Sequence, residues 1–175
     1  MSGLTREKII VALNLLADRL PKDSPDTELL LVGGAAMVLG FDARPSTRDV
    51  DAIAISGASA VVLRDLSAAL AAELDLPEDW LNDGAKGYLQ NITQGPVVLQ
   101  RGRLTVRIAA TEQLLAMKLS AWRDDLDIRD ARLLLANLAG SREKIWNDVA
   151  AHLLPGRELK AQLAFADLWE GRHAT

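Results

Sequence analysis

The chain contains no cysteine, so it can form neither a disulfide framework nor a thiolate zinc site, and it has no cysteine nucleophile. Its two histidines, His152 and His173, are too few for a multi-histidine metal centre. His152 stands between Ala151 and Leu153 in a helical pattern, which suits a structural role. Aromatic residues make up 4% of the chain. Trp80, Trp122, Trp146 and Trp169 are widely spaced and suit packing anchors, although a tryptophan near a site can also stack on a base. No apolar run approaches the ~20 residues that span a bilayer, and Met1 to Leu20 alternates charged with apolar residues where a secretory leader would be continuously apolar. The Ala- and Leu-rich segments lack the strongly basic face of a membrane-surface helix, so no membrane partner is expected. A soluble, cytoplasmic protein is expected. Nor is there an excess of positive charge: 20 Lys and Arg against 24 Asp and Glu give a net charge of −4. That disfavours a broad nucleic-acid surface while leaving room for a local basic patch.

What is present is ordinary for a globular chain: 175 residues, 49% hydrophobic and 25% charged, which suits a single domain over 1–175. Ile9, Leu13, Leu16 and Leu20 recur at helical spacing, so Thr5 to Leu20 reads as an amphipathic helix stopped by Pro21. Glu28 to Val32 is a short apolar run ended by Gly33-Gly34, the pattern of a buried strand, and Ala35 to Gly40 reads as a brief helix. Asp49 to Ile55 alternates carboxylates with small apolar residues and reads as a second strand. Ser59 to Leu74 is a helix by propensity, and Pro77 to Leu81 can start another turn. Val97 to Leu99 and Leu104 to Ala109 form a hairpin around Gly102. From Thr111 everything is helical in pattern: 111–123, 127–139, 141–154 and 156–170, with Gly140 and Pro155-Gly156 as punctuation. The fold class is therefore α/β of the α+β kind. A small mixed sheet with flanking helices occupies residues 1–110, and a helical lobe over 111–175 packs on it.

Two features point to chemistry. Carboxylates separated by one residue on a strand share a face with Cα atoms roughly 7 Å apart, so Asp49 and Asp51 can grip one or two divalent cations. Magnesium prefers carboxylate and phosphate oxygens, and a metal bridging phosphates orients an attacking hydroxyl and offsets charge on leaving pyrophosphate. The glycine pair Gly33-Gly34 supplies the complement, because backbone without side chains approaches phosphate closely and the following helix aims N–H groups at an anion. Each motif alone also has a plain structural explanation, a glycine turn or a solvated strand edge.

The ordered combination Leu31-Val32-Gly33-Gly34-Ala35-Ala36, then Arg44-Pro45-Ser46-Thr47-Arg48, then Asp49-Val50-Asp51 resembles the signature of the nucleotidyltransferase superfamily, the polymerase-beta-like fold. Met117-Lys118-Leu119-Ser120-Ala121-Trp122-Arg123, followed by Asp124 and Asp127, is similar to the Lys-x-x-Ala and Arg-Asp-x-x-Asp motifs of the AbiEii-like branch. That branch includes toxins of bacterial toxin–antitoxin systems. The stretch from Leu76 to Asn82 resembles uncharacterised relatives in the same branch. The resemblance spans roughly Glu28 to Leu138 and implies a nucleotidyltransferase-like topology. It implies a nucleoside triphosphate as substrate, with Gly33 and Gly34 at its phosphates and Asp49 and Asp51 on Mg2+. Lys118 would meet a phosphate, and the alternative is a surface lysine with its stem on the core. Asp127 would sit near the site, the alternative being a helix start where Asp124, Asp125, Asp127 and Asp130 pair locally with Arg123 and Arg129. Arg44, Thr47 and Arg48 would reach phosphate or substrate, or merely lead into the strand. The acceptor hydroxyl is left open among small molecule, protein and RNA, and a toxin would also require an antitoxin-like partner protein. The chain departs from the pattern at the third carboxylate: Leu104 to Ile108 offers Thr105 and Arg107, and Glu112, just beyond, is expected to cap the next helix. A single-metal or weakened site, or a nucleotide sensor without catalysis, follows from that departure.

Overall fold

The computed structural model describes residues 3–172, so His173 lies outside the described residues. Among those residues the chain forms seven α-helices, a five-stranded mixed sheet and a two-stranded sheet, the α+β class expected. It divides into two compact units. One is the chain up to Lys86 together with Gln94–Ala109, and the other is Gly87–Thr93 with the chain from Ala110 onward.

The first unit is the α/β one. Its sheet has the order β5-β4-β2-β7-β6, with β2 (Thr27–Leu31), β4 (Val50–Ser56), β5 (Leu81–Asn82), β6 (Val97–Arg101) and β7 (Leu104–Ile108). β2 runs antiparallel to β4 and parallel to β7. Leu29, Leu30, Leu31, Leu104, Val106 and Ile108 are all at most 2% exposed, which explains why these central strands read as apolar runs. The expected hairpin is β6–β7, turning at Gly102 with φ +53°. Helix α1 (Arg6–Arg19) is capped by the Thr5 hydroxyl, which accepts from Lys8 N. Its Arg6 donates from Nη2 to the carbonyls of Val38 and Leu39, closing the end of α2 (Gly33–Gly40). Helix α3 (Ala60–Leu74) starts on a Ser59 cap and packs on α1.

Three strands are too short for any sequence period to announce. β1 (Leu4–Thr5) pairs with β3 (Ser46–Thr47) in the two-stranded sheet, and β5 pairs parallel with the start of β4. The turn expected from Pro77 is present, closed by Trp80 N donating to Pro77 O at 3.0 Å, and it carries the Trp80 side chain into the core at 0% exposure, where its indole N–H donates to Ser67 O at 3.0 Å. This anchors the chain so that Leu81 and Asn82 lie along β4.

The second unit holds α4 (Thr111–Ala121), α5 (Asp125–Ala136), α6 (Arg142–Ala150) and α7 (Glu158–Arg172), with α4 packed on the other three. Glu112 does not cap α4: the cap position is Ala110, which makes no side-chain cap bond, and Glu112 sits in the first turn, where its charge complements the N-terminal dipole. The segment Gly87–Thr93 is tied in by side chains. Gln113, 1% exposed, donates to Asn91 O and accepts from the Thr93 hydroxyl, and His152 Nδ1 bonds Asn91 Oδ1 at 2.7 Å. His152 is thus structural, with burial pushing its imidazole pKa down against the opposing pull of Glu112 and Asp148. Trp146, Phe165 and Trp169 pack together, with centroids 5.3 and 5.9 Å apart in sequence order.

Candidate active site

Backbone pairing brings the glycine turn to the acidic strand. Val32 N donates to Asp51 O at 3.0 Å, so the chain leaves β2 beside Asp51 and turns into α2 at Gly33. Gly33 has φ +58°, a conformation that costs other residues about 1 kcal/mol or more. A Cβ on Gly33 would stand 2.6 Å from Asp51 Oδ2, and one on Gly34 would stand 2.0 Å from Thr47 Oγ1 and 3.7 Å from Arg44 Nη1. The space that the glycines leave is therefore filled by the carboxylate, the hydroxyl and the guanidinium of this same site. Gly33, Gly34, Arg44, Thr47 and Asp51 converge at the N-terminal turn of α2, where N–H groups without helical partners favour negative charge. The glycines act first by letting these side chains close in on the helix start.

Asp51 is the second residue of β4, whereas Asp49, expected inside the strand, immediately precedes it and is half-buried. Arg48, beside it, is exposed, and Thr47 is 8% exposed in β3. On the far side of Asp51, the β4–β5 register sets Asn82 directly opposite it. Residues paired in this way point to the same face of a sheet. Asn82 accepts from Gly84 N at 2.9 Å and donates to Asp79 O at 3.3 Å, which fixes its side chain. Sequence reasoning singled out the stretch that ends at Asn82 without assigning it to the site, because the pairing with Asp51 is non-local.

The strand expected to lack a third carboxylate lacks it. Leu30 pairs with both Ile53 and Arg107, so Arg107 and Thr105 share the face of Asp51. Arg107 is held by an ion pair to Glu28 on that face, which adds a second carboxylate-bearing position there but one already neutralised. Among the described residues no group of three or more His, Asp or Glu side chains is placed to hold a metal alone. Magnesium held by two carboxylates and phosphate oxygens needs no such group, and the hard oxygen donors of Asp49 and Asp51 suit it.

In the helical unit, Lys118 lies between two buried carboxylates, with Nζ 2.9 Å from Asp127 Oδ1 and 2.7 Å from Asp130 Oδ2. The Lys118 side chain is 12% exposed and the two aspartates are 3% and 2% exposed. Arg123 adds a backbone bond and a 3.0 Å Nε contact to Asp127 Oδ2. Burial pushes the Asp127 carboxyl up, but hydrogen bonds from Arg123 and Lys118 outweigh it and hold its pKa at about 2. Asp124 caps α5, accepting from Leu126 N and Asp127 N. The two motifs around Lys118 and Asp127 thus form one satisfied network that joins α4 to α5. For Lys118 to meet a phosphate it would have to exchange one of these carboxylates for it.

A family model described as a nucleotidyltransferase of unknown function (DUF6036) matches residues 8–138, about three quarters of the chain. The match covers the whole glycine and aspartate cluster together with α4 and α5. No curated protein and no solved structure matches the chain.

Proposed function

The chain belongs to this family of nucleotidyltransferases, and from that premise we propose that it transfers a nucleoside monophosphate from a nucleoside triphosphate to an acceptor hydroxyl, using Mg2+ held by Asp49 and Asp51. The observation that carries the reading is the convergence of Asp51, Thr47 and Arg44 on Gly33 and Gly34 at the start of α2. In the transfer, the acceptor hydroxyl gives up its proton to solvent as its oxygen bonds the α-phosphorus, the bond from that phosphorus to the β-phosphate's bridging oxygen breaks, and pyrophosphate leaves. Bound magnesium would offset phosphate charge and align the attacking oxygen. The chain's own contribution is positional and electrostatic: N–H groups of the first turn of α2 face the triphosphate, while the Thr47 hydroxyl, Arg44 and Arg48 contact its oxygens. Asn82, fixed beside Asp51, borders the site on its edge-strand side. Lys118 and Asp127 serve by ordering α4 against α5.

The Lys118-x-x-Ala121 and Arg123-Asp124-x-x-Asp127 patterns support placement near the AbiEii-like toxins, with a protein or RNA acceptor and an antitoxin-like partner. One observation favours a second reading. With Arg107 where a third carboxylate would stand, the cluster suits a nucleotide sensor of weak or no transfer activity.

Incubating the purified chain with each α-labelled triphosphate, Mg2+ and a cell extract separates the two. Labelled product that disappears in the Asp49→Ala, Asp51→Ala double variant supports transfer. Nucleotide binding without product supports the sensor, and neither would overturn both.

A further inference from the structure

Among the described residues, the outer edge of β4 has a strand partner only at its start. β5 covers only its start, with Leu81 opposite Val50 and Asn82 opposite Asp51, before the chain turns away at Gly84. Alternate residues of an antiparallel strand direct their N–H and C=O groups to opposite sides. Asp51 O accepts from Val32 N toward β2, whereas Val50 N donates to Trp80 O at 2.6 Å on the outer side. Ala52 and Ala54 therefore direct their backbone groups outward too, and Ala54, past the end of β5, is exposed. Among the described residues no strand pairs with Ala54 on this outer side; its partner Leu29 of β2 lies on the other. Residues 52–56 include no charge and no proline, two of the devices that commonly protect an edge from pairing, and the register shift that sets Ser56 opposite Glu28 interrupts β4 only after Ala54.

Alongside this edge runs a groove of about 710 Å3 with Leu29, Ala52 and Ala54 on one side and Leu63 and Ala68 of α3 on the other. Three carboxylates, Glu78, Asp79 and Asp83, stand against one cation, Arg64, which lies 3.8 Å from its neighbour Asp65. We propose that the edge and groove take an extended segment of a basic partner protein, added as a strand beside β4. Main-chain bonds to Ala54 would supply the pairing, a small side chain would enter the groove, and a Lys or Arg would fall near Asp79 and Asp83. The acidic rim selects against acidic segments and against a second copy of this chain, whose net charge is −4. This inference does not depend on nucleotide transfer, although the groove reaches Asn82, which borders the candidate site beside Asp51.

The test uses the full chain and two fluorescein-labelled heptapeptides, one alternating valine with lysine and one alternating valine with glutamate, followed by anisotropy. The basic peptide is expected to bind at least about tenfold more tightly than the acidic one, because like charges facing across an interface are strongly disfavoured. Changing Asp79 and Asp83 to Asn should weaken it by about two- to fivefold per charge, the range of exposed ion pairs. Ala54→Pro removes the outward N–H and should abolish binding. Ala68→Trp, at an exposed position of α3, blocks the groove without altering the strand and decides the matter if the proline variant does not fold. Amide exchange at Ala54 should slow when the basic peptide is present. No binding of the basic peptide, equal binding of the acidic one, or binding undiminished by Ala68→Trp would overturn the proposal.

Discussion

Replacing Gly34 with alanine is expected to destabilise the α/β unit through one identifiable contact. The added Cβ would lie 2.0 Å from Thr47 Oγ1 and 2.9 Å from Thr47 Cβ, where ordinary contact needs 3.4 Å or more. Thr47 is 8% exposed and sits in β3, paired to β1, so it cannot swing away as a surface side chain would. Overpacking of this kind costs about 1–3 kcal/mol, which for a chain of this size lowers the melting temperature by about 2–4 °C per kcal/mol. Thr47→Ala removes the 2.0 Å hydroxyl contact but keeps the Cβ at 2.9 Å, so the alanine at 34 should then cost less without becoming stabilising, the residual contact offsetting alanine's helix preference of about 1 kcal/mol over glycine. A double-mutant cycle by urea denaturation should give a coupling of about 1 kcal/mol or more between the two sites. Gly33→Ala provides the contrast. There the nearest atom is a carboxylate oxygen of Asp51, which can rotate, so neither Asp51→Ala nor Thr47→Ala should recover the backbone strain at φ +58°. If Gly34→Ala and Thr47→Ala add to within about 0.3 kcal/mol, the packing of Thr47 on the glycine turn is refuted.

Other consequences follow from the same geometry. Lys118→Met leaves the carboxylates of Asp127 and Asp130 buried without their shared cation and should cost about 3–5 kcal/mol by thermal unfolding; a loss below 1 kcal/mol would contradict the buried network. Asp127 is depressed from 3.8 to about 2, so its contribution is fully present above about pH 4 and is lost as the pH falls toward 2; it amounts to about 2 kcal/mol, and Asp127→Asn should flatten that part of the stability profile. Trp80→Phe removes the indole N–H bond to the Ser67 carbonyl, an addition to that carbonyl's bond within α3, and leaves unfilled space at a fully buried position, so it should lower stability by about 1–3 kcal/mol, with faster amide exchange in β5.

The parts of this architecture written in local spacing were legible in the sequence. The glycine pair after an apolar run follows from a short-range period, and Gly33 and Gly34 stand beside Asp51 as the spacing suggested, whereas the alternation of Asp49, Val50 and Asp51 placed Asp49 in a strand that begins one residue later. Less legible were features decided by distant partners. β1, β3 and β5 are two residues long, so no alternation marks them, and the position of Asn82 opposite Asp51 depends on Trp80 being drawn into the core. The sequence suggested that Gly33 and Gly34 bare the backbone for a phosphate. The structure adds that Asp51 and Thr47 occupy the room thus made, which no spacing rule reports. Lys118 shows the same limit, since its distance of nine residues from Asp127 and twelve from Asp130 becomes one ion-pair network only when α4 and α5 pack together.

Isothermal titration of the full chain with each nucleoside triphosphate, with and without magnesium, addresses the central claim most directly. Uptake of at least one triphosphate that requires magnesium, and that is lost when Asp49 and Asp51 are changed to Asn in a protein of unchanged melting temperature, is the predicted result. Uptake that is indifferent to magnesium or to both substitutions, or no uptake of any triphosphate, would contradict it.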